Sequence, residues 1–343
     1  MIQLDTAWLQ HVSKPARYTG GEWNSIVKNH DEVDVTMALA FPDVYEVSMS
    51  HLGIKILYSL LNERADVAAE RVFAPWVDME EEMRKRHIPL FSLETKTPAK
   101  DFDLLGFTLQ YEMSYTNILN MLDLAGIPFY AKDRDLSFPL LLAGGPCAYN
   151  IEPIADFFDI VSIGESEEWL NEFVDLYKAE KAADFPGGKE AFLRKAALIP
   201  GTYVPALYKP EYTAAGDFKG MKRLAEEAPE VIKKRIIEDM EDSFDPTKPV
   251  VPFLDVVHDR AVLELFRGCT RGCRFCQAGM LYRPVRERTP ERLVQLAKDI
   301  IANTGYNEIS LMSLSSADYS KLPELVDMLR EECRAKEVRV CLP

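Results

Sequence analysis

Long apolar runs are missing from this 343-residue chain. Its most hydrophobic stretches, such as Phe138-Pro-Leu-Leu-Leu-Ala143, have the length of a strand and fall short of the roughly 20 residues that a membrane-crossing helix needs. Met1-Ile-Gln-Leu-Asp5 lacks the basic-then-apolar order of a secretory leader. Positive charge is also short, with 40 Lys and Arg against 55 Asp and Glu. The resulting net charge of -15 argues against broad binding to nucleic acid, since a phosphate backbone would meet mostly like charge. Cysteine is sparse, at 6, and shows no disulfide-like framework, so a reducing, cytoplasmic setting is expected. A 47% hydrophobic and 28% charged chain of this length is an ordinary globular protein of two or three domains.

Half of the few cysteines fall within eight residues of each other, as Cys269-Thr-Arg-Gly-Cys273-Arg-Phe-Cys276, directly after an apolar run (residues 261–266) that reads as a buried strand. Thiolates this close repel one another unless a soft cation neutralises them, which points to zinc, copper(I) or an iron-sulfur cluster. Three ligands are one short of a closed zinc site, and there is no second C-x2-C knuckle. Cys333, Cys341 and His258 stand at no zinc-like spacing. Gly268 and Gly272 let the loop turn tightly with its amides inward, and Phe275 would shield a bound cluster from water. Seven arginines (267, 271, 274, 283, 286, 288, 292) against Glu287 and Glu291 make this neighbourhood locally basic. They either hold an anionic ligand or offset the cluster's charge and cap the next helix.

From Val33 strand and helix signals alternate. Residues 35–41, 67–73, 103–109, 139–143 and 159–163 read as strands, and residues 52–61, 77–86 and 114–124 as helices. Such alternation implies a mostly parallel, doubly wound sheet with ligands beyond the strands' C-terminal ends. The candidate rim is Pro42, Asp43 and Tyr45, then Thr108 to Tyr111, then Gly144, Gly145 and Pro146, then Gly164 and Glu165. Residues 1–33 form an N-terminal extension, 34–177 the doubly wound domain, and 178–258 a connector. The connector ends in Pro246-Thr-Lys-Pro-Val-Val-Pro252, whose prolines favour an extended strap. Beyond the cysteines, Thr289-Pro290-Glu291 supplies an N-cap, a first-position proline and a first-turn acid for a helix over 291–302. A strand at 308–314, a helix at 322–331 and a third strand from 338 to 343 follow.

The C-x3-C-x2-C spacing with an aromatic before its last cysteine, after a strand that would open a barrel, resembles the radical S-adenosylmethionine (radical SAM) superfamily. The resemblance implies a 4Fe-4S cluster on Cys269, Cys273 and Cys276, its fourth iron chelated by S-adenosylmethionine (SAM). Reductive cleavage of SAM, fed by an external electron donor, would then give a 5'-deoxyadenosyl radical for C-H activation. Ser315 and Ser316 stand where such proteins commonly carry a Gly-Gly-Glu segment that binds the SAM amino group.

Phe41-Pro-Asp-Val-Tyr-Glu-Val-Ser-Met-Ser-His-Leu-Gly53, Gly106-Phe-Thr-Leu-Gln110, Gly144-Gly145-Pro146 and Phe158-Asp-Ile-Val-Ser-Ile-Gly-Glu165 are similar to the cobalamin-binding domain in front of many radical SAM enzymes. On that likeness Thr108 lies near the nucleotide tail, and Gly144 and Gly145 let the tail approach the backbone. The D-x-H-x-x-G signature is broken, with Met49 in place of its Asp and the glycine at 53 rather than 54, so the likeness leaves cobalamin open and His51 reads as a helix-start residue. Methyl transfer would accompany bound cobalamin.

The expected fold is therefore α/β: an N-terminal doubly wound, flavodoxin-like (cobalamin-binding-like) domain, then the first half of a radical SAM (βα)6 partial barrel in residues 259–343. Only the first three barrel strands are present, which reads as a truncated form of a longer protein. The rival expectations are a non-catalytic 4Fe-4S or interaction protein without a complete SAM site, and a zinc-stabilised module. The substrate is not legible.

Overall fold

The computed structural model describes residue 2, residues 6–334 and residues 337–342. Pro343, the last residue of the expected third barrel strand, lies outside them, as do Met1 and residues 3–5 of the N-terminal extension. The chain divides into two compact units. The first takes in Met1–Gly20, Ile26–Ser48 and Leu61–Ile236; the second takes in Gly21–Ser25, Met49–Leu60 and Ile237–Pro343.

The first unit is built on a six-stranded sheet. β1 (Val35–Phe41) and β2 (Val67–Phe73) are buried along their whole length, as strands covered on both faces must be. β3 (Leu104–Thr108), β4 (Leu140–Gly144) and β5 (Ile160–Ser162) complete the parallel set, and β6 (Thr202–Tyr203) joins β5 antiparallel. The strand order β2-β1-β3-β4-β5-β6 contains the 2-1-3-4-5 order of flavodoxin-like folds, so the expected doubly wound architecture is the one observed.

Helices α1 (Leu52–Glu63), α2 (Val77–Arg86), α3 (Tyr115–Ala125), α4 (Glu167–Ala182) and α5 (Gly188–Ala196) connect or follow the strands. The residues of α1 up to Leu60 are grouped with the second unit. α2 and α3 stop where His87 and Gly126 turn left-handed and their N–H groups satisfy the last helical carbonyls. Polar residues inside β2 are tolerated because each is paired. Arg71 Nε lies 2.6 Å from Glu94 Oε1, and Glu70 Oε1 lies 2.6 Å from His30 Nε2.

The division differs from the expected one. α4 runs past residue 178, and α5, β6 and an exposed hairpin, β7 (Tyr208–Tyr212) with β8 (Phe218–Arg223), all fall within the first unit. The connector expected over 178–258 thus belongs to the first unit up to Ile236, because its apolar residues, among them Phe192, Leu193, Val204 and Leu207, are core.

In the second unit β9 (Ala261–Glu264) leads through β10 (Phe266–Arg267) into the cysteine loop, and β11 (Arg286–Glu287) returns antiparallel to β10. α6 (Pro290–Thr304), β12 (Glu308–Met312), α7 (Leu322–Arg334) and β13 (Arg339–Cys341) follow. α6 starts as its sequence predicts, with the Thr289 hydroxyl accepting from Arg292 N–H at 3.3 Å and Pro290 in the first turn, and it ends at left-handed Gly305. β9, β12 and β13 pair in parallel and in chain order, which is how a βα barrel begins and not how a doubly wound sheet is ordered. Ala261 and Leu263 of β9 and Ile309 and Leu311 of β12 are buried in one cluster with Leu293, Ala297 and Leu325 of the helices. Val262, Glu264, Ser310 and Met312 alternate onto the opposite face. No helix among the described residues is long and apolar enough to cross a membrane.

Candidate functional site

Because β9 and β12 are parallel neighbours, the loops after them leave from the same end of the sheet, the end where βα barrels carry their sites. The loop after β9 holds all three clustered cysteines. Its ends are pinned by the pairing of Phe266 with Glu287 and Arg267 with Arg286. Gly268 must be glycine: its φ is +97°, and a Cβ there would sit 2.5 Å from the Pro284 carbonyl oxygen. Gly272 is also left-handed, at φ +65°. Cys276 N–H donates to the Cys273 carbonyl at 3.1 Å, and Arg283 Nε donates to the Cys269 carbonyl at 3.3 Å.

Cys269 and Cys276 are half-buried and Cys273 is exposed, and all three are free thiols. The loop carries them together, yet among the described residues no three His, Cys, Asp or Glu side chains are gathered as a metal-holding group. Phe275 is 94% exposed, so none of the described residues covers it. The other three cysteines stand apart from this loop in sequence, with Cys147 and Cys333 buried and Cys341 half-buried on β13.

The loop after β12 is a network of hydroxyls. Ser316 Oγ donates to the Leu311 carbonyl at 2.9 Å and lies 3.0 Å from Ser313 Oγ, which in turn accepts from Ser315 N–H at 3.2 Å. Ser315 Oγ donates to Asp318 Oδ2 at 2.7 Å. The same carboxylate receives a two-pronged guanidinium from Arg271, in the spacer between the first two cysteines: Nε donates to Oδ2 at 2.6 Å and Nη2 to Oδ1. The Arg271 and Ser315 hydrogen bonds hold the Asp318 carboxyl below its ordinary range. Ser315 and Ser316 are thus tied to the cysteine loop through Asp318, a residue that sequence reasoning did not single out.

Below the loops lies a buried ionic knot. Arg288, whose side chain is fully buried, donates to the Glu264 carbonyl at 2.6 Å, Glu264 Oε2 at 3.2 Å, Ser243 Oγ at 2.7 Å and Asp245 Oδ1 at 2.8 Å. Arg267 Nε holds both Glu264 oxygens at 3.1 Å, and Arg292 reaches Asp245 at 3.4 Å. Burial pushes the Asp245 carboxyl up despite these arginines. Four of the seven arginines therefore answer local acids: Arg267, Arg271, Arg288 and Arg292. Glu264 was missed in sequence, although a lone acid ending an apolar strand just before the cysteines was the available signal.

In the first unit the sheet's switch point lies between β1 and β3. Asn117 Nδ2 holds the Pro42 carbonyl at 2.9 Å, and the Thr108 hydroxyl accepts from Gln110 Nε2 at 2.5 Å. Tyr45 is buried and edge-on to Phe73, so it belongs to the core and not to the rim. The two rim glycines differ. Gly145, at φ +103°, has the Leu109 carbonyl oxygen 2.8 Å from where a Cβ would be, so the fold itself requires glycine there. Gly144 has only ordinary contacts, the nearest being Ser166 Oγ at 3.7 Å. Burial pushes the neighbouring Tyr115 hydroxyl up to about 12 and raises the Cys147 thiol. In the second unit the His51 ring lies over Gly53, its Cε1 2.8 Å from where a Cβ would stand.

Fold and site define a two-unit α/β protein, a flavodoxin-like sheet followed by a βα-barrel segment whose first loop carries three thiols. Residues 53–205 match the family described as radical SAM proteins, N-terminal, and residues 263–342 match the radical SAM superfamily. Both matched segments are thus similar to radical SAM proteins. It is 25% identical over 299 residues to the uncharacterized protein MJ0966 of Methanocaldococcus jannaschii, covering 85% of this chain and 52% of that one. Two solved structures of TsrM from Kitasatospora setae, a radical S-adenosylmethionine methyltransferase, are also similar. One has cobalamin and a [4Fe-4S] cluster bound, the other tryptophan substrate and the SAM analog aza-SAM. Both align with a TM-score of 0.49 at 12% and 13% identity, over 89% of this chain and 53% of theirs. The chain spans about half the length of the relatives it matches.

Proposed function

We propose that this chain is the cluster-binding part of a radical SAM enzyme, with Cys269, Cys273 and Cys276 as ligands to a 4Fe-4S cluster and SAM as the co-substrate. The carrying observation is the donor set: three free thiols on one pinned loop at the C-terminal end of the first strand of a βα barrel. Three soft donors suit an iron-sulfur cluster with one iron left for an outside ligand and are one short of a structural zinc site. When bound, such a cluster supplies the electron that cleaves SAM reductively.

The chain's own residues do the rest. Gly268 and Gly272 shape the loop, Phe275 is free to cover what the thiols bind, and Ser315 and Ser316 present hydroxyls at the same end of the sheet. The electron comes from an external donor and the setting is a reducing one, as accessible unpaired thiols require. The substrate is left open; a net charge of -15 does not favour nucleic acid.

The test is anaerobic reconstitution with iron and sulfide. About four irons and about four sulfides per chain are expected. Alanine at Cys269, Cys273 or Cys276 should abolish uptake, and serine at Cys147 should leave it intact. Zinc retained in place of iron would contradict the reading.

A second reading concerns the first unit. Its 2-1-3-4-5 strand order supports cobalamin as the ligand at the β1/β3 switch point, with Thr108 and Gly144 on the rim. Nothing in the broken D-x-H-x-x-G segment asks His51 to ligate cobalt, and the requirement for glycine at 145 is already met by its positive φ and the crowding of Leu109 and Gln110. Cobalamin titration followed by its visible spectrum tests this reading, and no spectral change at millimolar cobalamin would contradict it.

A further inference from the structure

The cysteine loop has a side-chain tie from its middle to the loop of the neighbouring strand. Arg271 lies between Cys269 and Cys273, and its guanidinium grips both oxygens of Asp318. Asp318 is itself held by Ser315 Oγ at 2.7 Å, and its N–H donates to the Ser315 carbonyl at 2.8 Å. The next residue, Tyr319, stacks on Phe266 at 6.5 Å and donates its hydroxyl to the Arg288 carbonyl at 2.7 Å. The Ser315–Tyr319 turn is therefore anchored on its inner side, while its outer side is fastened by one arginine from the cysteine loop.

Arg271 is 62% exposed in its side chain, and exposed ion pairs usually contribute little. A two-pronged Arg–carboxylate pair with a third partner on the same oxygen is the exception, because its geometry is fixed and its entropy cost is shared. Arginine suits this place because its planar fork fixes direction as well as distance, which lysine cannot do.

We infer that the Arg271–Asp318 fork couples the two halves of the site, so that ordering the cysteine loop around a cluster also orders the Ser313–Tyr319 turn, and Arg271 and Asp318 are positioning residues. The inference rests on the cluster reading proposed above. Coupling between sites is reciprocal, so whatever stabilises the serine turn also stabilises the cysteine loop. The two loops then assemble as one surface, with no direct contact needed between the thiols and the serine hydroxyls.

Hydrogen exchange by mass spectrometry on the full 343-residue chain, with and without reconstituted cluster, tests this. In the wild type, loading iron and sulfide should slow exchange in residues 313–319 by at least about fivefold, the lower end of ordinary coupling between sites. Asp318→Asn and Arg271→Gln should still take up iron but lose that slowing, and the charge-exchanged pair Arg271→Asp with Asp318→Arg should regain part of it. Arg271→Lys should regain less than the charge-exchanged pair. Equal slowing in wild type and Asp318→Asn, with iron bound in both, would overturn the coupling and leave the cluster reading standing. Failure of the wild type to bind iron would overturn the cluster reading and this inference with it.

Discussion

Replacing Arg288 by methionine removes a fully buried guanidinium of similar reach from the knot beneath the cysteine loop. The arginine makes four hydrogen bonds, to the Glu264 carbonyl and carboxylate, to Ser243 and to Asp245. Hydrogen bonds to charged groups contribute about 1.5–3 kcal/mol each, so a naive sum is roughly 6–12 kcal/mol. That sum overstates the loss, because the variant also escapes the cost of dehydrating the guanidinium. Breaking one partner out of a buried pair costs about 3–5 kcal/mol. Here Arg267 still holds Glu264 and Arg292 still reaches Asp245, which places the loss at the lower end, about 3 kcal/mol.

Hydrogen exchange reads this unit by unit, where a single melting curve on a two-unit chain would not. At 1.4 kcal/mol per decade, the slowest amides of β9 and β12 should lose roughly two decades of protection, with those of β3 and β4 unchanged. Removing the acid as well, Arg288→Met with Asp245→Leu, should recover about half of the loss, since a buried pair replaced by apolar groups is nearly neutral. A loss under tenfold, or an equal loss in β3 and β4, would refute the reasoning.

Other consequences can be checked separately. At Glu46, burial alone would raise the carboxyl, but hydrogen bonds from Arg17 and Lys14 outweigh it and bring the group down to about 2. A folded value below the unfolded one gives stability that is present above about pH 5 and lost as pH falls toward 2, on the order of 1–3 kcal/mol, discounted because Lys14 is exposed. Urea unfolding from pH 7 to pH 3 should show that loss in the wild type, and Glu46→Gln should be weaker at pH 7 with a flatter profile. Gly145→Ala should destabilise the first unit by about 1–3 kcal/mol, because its Cβ meets the Leu109 backbone at positive φ, whereas Gly144→Ala should cost under about 1 kcal/mol. Gly144→Ala should nevertheless weaken cobalamin uptake if the first unit binds it; unchanged uptake would count against placing the ligand on that rim. Phe275→Ala should leave stability unchanged, since the ring is almost fully exposed, and should speed oxidative bleaching of a loaded cluster in air.

The sheet of the first unit was legible because β1 is an almost continuous apolar run and β2 an apolar run interrupted only by Glu70 and Arg71, and both begin and end where the sequence places them. β6 and the β7–β8 hairpin were not, since two-residue pairing at Thr202–Tyr203 and an exposed hairpin leave no period to read. The N-cap at Thr289 was visible as a local pattern, whereas the knot of Arg288, Glu264 and Asp245 joins residues far apart in sequence. Tyr45 illustrates the limit of reading a rim from strand ends alone: it lies in the segment that follows β1, yet the short helix beginning there turns its ring into the core against Phe73. The three cysteines stood out in the sequence by their spacing, while the Arg271–Asp318 fork that ties their loop to the serine turn required the structure.

The central claim is tested most directly by adding SAM to the anaerobically reconstituted, dithionite-reduced chain and measuring 5'-deoxyadenosine. The account predicts the nucleoside in amounts that depend on Cys269, Cys273 and Cys276 and vanish when any one is alanine. A fully loaded, reducible cluster that forms no 5'-deoxyadenosine would contradict the enzymatic reading and leave a cluster-binding protein in its place.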